Sequence, residues 1–428
     1  VIMQQTMTSE ELLEPEGKFP DVEFTGSRRP LFRLILKNSL LTIFTVGIYR
    51  FWAKTWVRQY YWGNVRVYGD PLEYTGRPIE LLVGFLIVLA ILLPMGGIYS
   101  GLELMAEGAP STIHETLNAS YYVVLYMLVQ VAFYRMWRFR LTRTTWRGIR
   151  FGMDGSAWTY LGLSIMWGLV TVATIGIAFP WMRAKLIEYR MNQSRFGNTA
   201  FSFHMPVQDL WGLFVPWLVT YLVYFGALIY LAFFYWSDLQ VIWELGMGSG
   251  NPEDLTADMA RGYLAFFILF LLFPVFLVWY RTRELQFSIN GIRIENQRFH
   301  SEIRPPFILW RIVLTLFSCG IVIIAVSIAF SVIMALGINF DGVLADDPKK
   351  MIKQLIPLFV VYSIGLAFLF LVAIPILTHL LFRFPAVKHI CETLYAPDQS
   401  VFEEIIQSTQ DDPSYGEGLA DAFDVGAI

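Results

Sequence analysis

Apolar residues gather into six long runs, at 79–102, 119–137, 210–236, 262–280, 308–337 and 355–382. A helix needs roughly 20 mostly apolar residues to cross the hydrocarbon layer, so each run predicts a spanning helix. Two further runs are ambiguous. The segment 38–52 holds only twelve residues between Lys37 and Arg50, whereas 159–182 is long enough on hydropathy alone. Between the runs, Asn64–Gly76, Gly148–Gly162, Asn198–Met205 and Gly291–Glu302 alternate apolar and polar positions, as half-buried strands do.

Charge decides between six and eight crossings, because short cytoplasmic loops collect Lys and Arg. The loop 103–118 has neither and carries Glu103, Glu107 and Glu115; the loop 237–261 has one Arg against five acidic residues. By contrast, 135–150 carries six Arg, 183–195 carries Arg183, Lys185, Arg190 and Arg195, and 281–304 carries five Arg. A crossing at 159–182 would put strongly basic flanks on opposite sides. Six crossings plus two re-entrant or interfacial helices keep all of them on one side, with both termini cytoplasmic. Eight spans is the alternative. Since two-stranded hairpins are marginal alone, the β-like stretches are expected to pair into a small cytoplasmic cap on a mainly α, polytopic membrane fold.

The chain repeats itself. At an offset of 129, Thr42, Thr45, Gly47, Ile48, Trp52 and Tyr60 fall on Thr171, Thr174, Gly176, Ile177, Trp181 and Tyr189; at 273, Thr42, Gly47 and Ile48 fall on Thr315, Gly320 and Ile321. At 143, Arg138, Arg140, Gly148, Ile149 and Arg150 fall on Arg281, Arg283, Gly291, Ile292 and Arg293. Three membrane units follow, at 24–150, 151–304 and 305–402, flanked by acidic, solvated segments at 1–23 and 403–428. The third unit lacks the Trp and the basic stop, so its T-x-x-S-x-G-I helix should run on into a full span.

Composition agrees. Of 428 residues, 56% are hydrophobic and only 16% charged, with mean hydropathy +0.51; a soluble domain carries about a quarter charged residues. Cys319 lies in an apolar run and Cys391 in a polar one, so no disulfide is expected. Glu10, Glu11, Glu14, Glu16 and Asp21 are the opposite of a basic leader region, and no cleavable signal is expected.

Candidate chemistry is sparse. In T-x-x-T-x-G-I the two hydroxyls, three apart, share one helical face and a glycine follows, which suits a packing seam or a re-entrant element lining a path. Trp52, Trp56 and Tyr60 lie on one side of the following helix and Lys54 and Arg58 on another, a pattern fit for the headgroup layer and anionic lipid. Arg138, Arg140, Arg183, Arg281 and Arg283 are topology signals or lipid or partner contacts. Gln130 is the clearest intramembrane polar group. No catalytic motif is present, and His114, His204, His300, His379 and His389 lack metal-ligand spacing. No enzyme activity, cofactor or metal is expected, and nothing points to nucleic acid.

The run N-S-L-L-T-I-F-T-V-G-I-Y-R-F-W-A at 38–53, with the G-N-V-R-V-Y-G that follows, resembles the YjgN-like family over most of 24–395. The second copy reads G-I-A-F-P-W, without the tyrosine, and the third departs further. The resemblance implies a multi-pass bacterial inner-membrane protein of unknown function and brings no catalytic residues. It also hints at a membrane metalloprotease as partner. The reading favoured by the residues is a non-enzymatic scaffold that binds lipid or a membrane partner through a basic cytoplasmic face; a transporter or channel is the alternative.

Overall fold

The computed structural model describes residues 21–204, 207–234, 257–295, 297–337, 356, 360 and 362–408. It is mainly helical. Among the described residues, five helices are long and apolar enough to cross a membrane: α3 (Pro78–Met105), α4 (Ser111–Thr142), the Leu210–Tyr230 part of α7 (Val207–Phe234), the Pro305–Ala329 part of α9 (Pro305–Gly337), and α10 (Tyr362–Glu392). The run expected at 262–280 lies in helix α8 (Ala257–Asn290), many of whose side chains fall outside the described residues. Few residues of the five apolar helices are buried within the chain, so their apolar surface requires a non-aqueous neighbour.

The two ambiguous runs each break and turn back. Helix α1 (Arg28–Phe44) stops, the chain turns, and α2 (Arg50–Asn64) returns beside it; α5 (Ala157–Ala173) and α6 (Phe179–Asn192) repeat the pattern. In the third copy Thr315, Ser318 and Gly320 lie within the unbroken α9, as expected.

Among the described residues, twelve short strands join these helices: β1 (Val22–Phe24), β2 (Val65–Val67), β3 (Asp70–Tyr74), β4 (Thr144–Trp146), β5 (Ile149–Met153), β6 (Ser194–Phe196), β7 (Thr199–Ala200), β8 (Ser202–Phe203), β9 (Ile292–Ile294), β10 (Gln297–Arg298), β11 (His300–Ser301) and β12 (Leu394–Tyr395). All pairs are antiparallel. Strands β1 to β7 form one sheet in chain order, β8–β9–β10 a second and β11–β12 a third. The expected β-like stretches contain strands, with one correction. Ala157–Gly162, placed in a strand by its alternation, is helical, because Ser156 accepts the Trp158 N–H at its N-terminus and starts α5 there.

Every helix pair is inserted between two paired strands. Strands β1 and β2 flank α1–α2, β3 and β4 flank α3–α4, β5 and β6 flank α5–α6, β8 and β9 flank α7–α8, and β11 and β12 flank α9–α10. One backbone bond closes the neck of each unit: the N–H of Thr25, Thr75, Asp154, His204 and Glu302 donates to the carbonyl of Asn64, Arg143, Gln193, Gly291 and Thr393 respectively, at 2.7–2.9 Å. The pattern divides the chain into strand–helix–helix–strand units, a finer division than the sequence offsets.

Apolar clusters at the strand end link these units in order. Phe51, Leu81 and Phe139 join the first to the second; Tyr134, Tyr160 and Leu186 join the second to the third. Ile187, Leu213 and Tyr280 join the third to the fourth, and Ile303, Ile308 and Ala386, with Val278 and Ile289 of α8 packed against them, join α8 to α9 and α10. Leu31, Ile35, Tyr61 and Phe384 then bring α10 back onto α1 and α2. The circuit of contacts is closed.

Of residues 403–408, expected to be solvated, Glu403, Glu404, Ile406 and Gln407 are exposed, whereas Ile405 is buried. Val401, Phe402 and Ile405 bury themselves among Trp146, Phe196 and Ile294 from three different hairpins. The Tyr68 hydroxyl donates to the Pro397 carbonyl, Asn198 exchanges two bonds with Ile406, and the Arg150 N–H donates to Gln407 Oε1 at 2.7 Å. Burial pushes the Tyr68 phenol up, so it remains a donor. At the other end, Val22 and Glu23, assigned from sequence to the solvated N-terminal stretch, pair with Val67 and Arg66.

Candidate functional site

The T-x-x-T-x-G-I motif builds a tight turn between antiparallel helices. Thr45 caps the C-terminus of α1. Gly47 N–H reaches back to the Thr42 carbonyl at 2.8 Å and Val46 N–H to Ile43 at 3.0 Å, the paired bonds of a Schellman cap. Thr42 Oγ1 bonds the Asn38 carbonyl and Thr45 Oγ1 the Leu41 carbonyl, and Thr45 Oγ1 also accepts the Tyr49 N–H at 2.9 Å. One hydroxyl thus serves the end of one helix and the start of the next.

The second copy repeats this atom for atom. Gly176 N–H bonds Thr171 O at 2.7 Å, Thr171 and Thr174 hydroxyls bond the Trp167 and Val170 carbonyls, and Thr174 Oγ1 accepts from Ala178. The glycines hold φ of +88° and +90°, a region that L side chains avoid. The residues before them, Val46 and Ile175, sit at φ +51° and +52°, a strained setting for β-branched side chains. In the third copy Thr315 Oγ1 simply bonds Arg311 O within the helix.

Both tips are apolar and uncovered: Val46 is 92% exposed, Ile175 66%, and Phe44 and Val172 about as bare. The bases are polar. Of the predicted aromatics, Trp52 stacks on Tyr49, Trp181 is 41% exposed, and Tyr60 bonds Ser27 at the hairpin neck.

Most predicted lipid-facing cations are engaged within the protein. Arg183 and Arg281 both pair with the buried Glu284, at 2.5 and 2.8 Å, and Arg283 bonds Gln286 Oε1 at 2.9 Å. Arg58 bonds the Tyr74 hydroxyl at 3.3 Å, and Lys54 and Arg140 also have partners. Arg138 keeps a buried Nε without a hydrogen bond. Nearby Arg190 is buried against the Trp137 ring at 4.7 Å, and that burial pulls its guanidinium below the ordinary range. Gln130 is half-buried on α4. Helix α10 carries two π-helical stretches, Leu369–Ala373 and Thr378–Arg383, around Pro375, and His379 in the second meets the Tyr61 hydroxyl at 3.3 Å.

A site missed in the sequence gathers where α10 returns to α1. Arg28, Arg311 and Lys388, with Phe307, Phe384, Pro385 and Glu392, line an open groove of about 450 Å³. No motif marks these residues, which come from three distant parts of the chain. Among the described residues no group of His, Cys, Asp and Glu is placed to hold a metal ion.

The family described as "Bacterial protein of unknown function (DUF898)" matches residues 19–422. The chain is 23% identical to the inner membrane protein YjgN of Salmonella typhimurium (strain LT2), an alignment covering 70% of this chain and 81% of that one. No solved structure matches. With a family match spanning nearly its whole length and a curated inner-membrane relative, the chain belongs to this YjgN-like family of bacterial proteins of unknown function.

Proposed function

We propose that the protein is a non-enzymatic, multi-pass scaffold of the bacterial inner membrane, which holds anionic lipid or a membrane protein partner against a basic cytoplasmic face. In this reading the strand end and both termini face the cytoplasm, and α8 supplies a sixth crossing. The α1–α2 and α5–α6 hairpins enter the membrane from that same side without crossing. Three related units, the last shortened, generate the arrangement, and the paired strands are its cytoplasmic cap. A membrane metalloprotease is one candidate partner.

The observation that carries the reading is the pair of short hairpins, with bare apolar tips and cationic bases on a scaffold whose apolar helices are left uncovered. Exposed apolar patches on this scale mark interaction with lipid or protein. From Lys37 to its end at Phe44, α1 rises only about 10 Å, less than half the hydrocarbon thickness, which suits insertion into one leaflet. Copurification from native membranes with lipid and protein identification tests it. Recovery of neither an enriched anionic lipid nor a protein partner sinks the reading.

A second reading, a transporter or channel, draws support from the closed circuit of helix contacts and from the segment around Val401–Ile405, which packs against strands of three hairpins. Solute flux in vesicles that rises when this segment is unseated would favour it over a scaffold.

A further inference from the structure

The cations best placed for an external ligand are not those predicted from sequence. Arg183 and Arg281 spend their charge on Glu284. The groove at the junction of α1, α9 and α10 instead presents three cations and one carboxylate, and that carboxylate, Glu392, is 3.6 Å from Lys388. No described acidic group pairs with Arg28 or Arg311. The Arg311 guanidinium rests over the Phe307 ring at 5.1 Å, and Arg28 lies 5.7 Å from the Phe384 ring. A guanidinium held on its flat face keeps its in-plane N–H edge for an oxyanion. Arg311 Nε is buried and has no hydrogen-bond partner, the kind of donor that a ligand oxygen satisfies.

The rest of the groove is apolar: Phe307, Phe384 and Pro385. Arg311 is six residues into α9, next to the exposed Trp310, the residue type that marks the headgroup layer. Cations above an aromatic floor at that depth match a molecule with a charged head and an apolar body.

We propose that this groove binds one phosphate-bearing anion, the headgroup of an anionic phospholipid, with Arg28 and Arg311 donating to phosphate oxygens and Lys388 adding charge. Zwitterionic lipids are disfavoured because their own cation would meet the same three. The proposal rests on the lipid-binding reading above and narrows it to one place.

Native mass spectrometry of the full-length protein tests it, with titrated phosphatidylglycerol, phosphatidylcholine and inorganic phosphate. The wild type should retain phosphatidylglycerol over phosphatidylcholine. The Arg28→Gln/Arg311→Gln/Lys388→Gln variant should lose one tightly bound phosphatidylglycerol, its affinity falling about a hundred-fold at roughly 1 kcal/mol per cation, with its few phosphatidylcholine adducts unchanged. Unaltered circular dichroism and elution of the variant establish that it is folded. Should it fail to fold, Arg28→Gln alone, at the rim, carries the test, with about a five-fold loss expected. Displacement of the bound lipid by millimolar phosphate supports the same anion site with a soluble source. Equal phosphatidylglycerol retention in folded wild type and variant overturns the groove while leaving the general lipid reading standing. A wild type with no preference for phosphatidylglycerol overturns both.

Discussion

Tyr60 closes the first short hairpin on Ser27. Its hydroxyl donates to the Ser27 carbonyl at 2.5 Å and accepts the Ser27 N–H at 2.8 Å, and Tyr189 and Ser156 repeat the relationship at 3.1 and 3.2 Å. Each hairpin therefore has its tip set by a Thr-Gly turn and its neck by one phenol. Tyr60→Phe and Tyr189→Phe should each destabilise by about 1 kcal/mol, two solvent-facing bonds at the low end of the usual range, read as a lowered Tm in detergent. Unchanged midpoints in both would show the latch to be incidental.

The turn glycines and the third-copy glycine should respond with opposite signs. Gly47→Ala and Gly176→Ala force a side chain to φ near +90° and should cost about 1–2 kcal/mol. Gly320 is mid-helix with open space where a Cβ would stand. Gly320→Ala should therefore stabilise by about 0.5–1 kcal/mol. Thermal unfolding of the three variants side by side checks both signs.

Glu284 compensates two arginines from a position only 7% exposed. Glu284→Gln leaves Arg183 without its counter-charge next to a buried tyrosine, Tyr280, and should cost about 3 kcal/mol. The double variant Glu284→Gln/Arg183→Met should recover part of that loss. Chemical denaturation of all three proteins measures it, and absence of recovery would mean the pair is not the source of the cost.

A Cβ on Gly197 would collide with the Ile406 carbonyl, closer than real contacts allow. Gly197→Ala should unseat residues 401–406 and bare Trp146 and Phe196, with fluorescence shifted to the red and faster proteolysis after residue 396. Identical digestion kinetics in wild type and variant would argue that the segment is not held there.

Topology is checked by single cysteines in a Cys319→Ser/Cys391→Ser background. Cysteines at Asp154 and Lys185 should react with an impermeant maleimide from the cytoplasmic face alone, and those at Val46 and Ile175 from neither face. Reaction of Asp154→Cys and Lys185→Cys from opposite faces restores the eight-span alternative.

How much of this was legible follows from the range of each interaction. The long apolar helices are legible because hydropathy is a local sum. The Thr-Gly-Ile turns were visible as a pattern, but the double duty of Thr45 and Thr174 was not, because it depends on where the chain goes after the turn. Strands β1 and β12 escaped notice, since two or three residues cannot display alternation. The burial of Ile405 within an otherwise exposed acidic stretch is not legible locally, because its seat is made by residues a hundred or more positions away. Arg28, Arg311 and Lys388 were overlooked for the same reason.

The seat of Phe402 has a consequence for how the protein is made. Each neck bond joins residues within one unit, so every unit can close soon after its own residues leave the ribosome. Residues 401–405 are synthesised after all the hairpins they touch, and their pocket is complete only when Trp146, Phe196 and Ile294 are together. A chain that lost or misinserted one hairpin would finish synthesis with Val401, Phe402 and Ile405 unseated and their apolar side chains bare to water. Seating of these few residues is therefore the last step, and it depends on all three hairpins being in place.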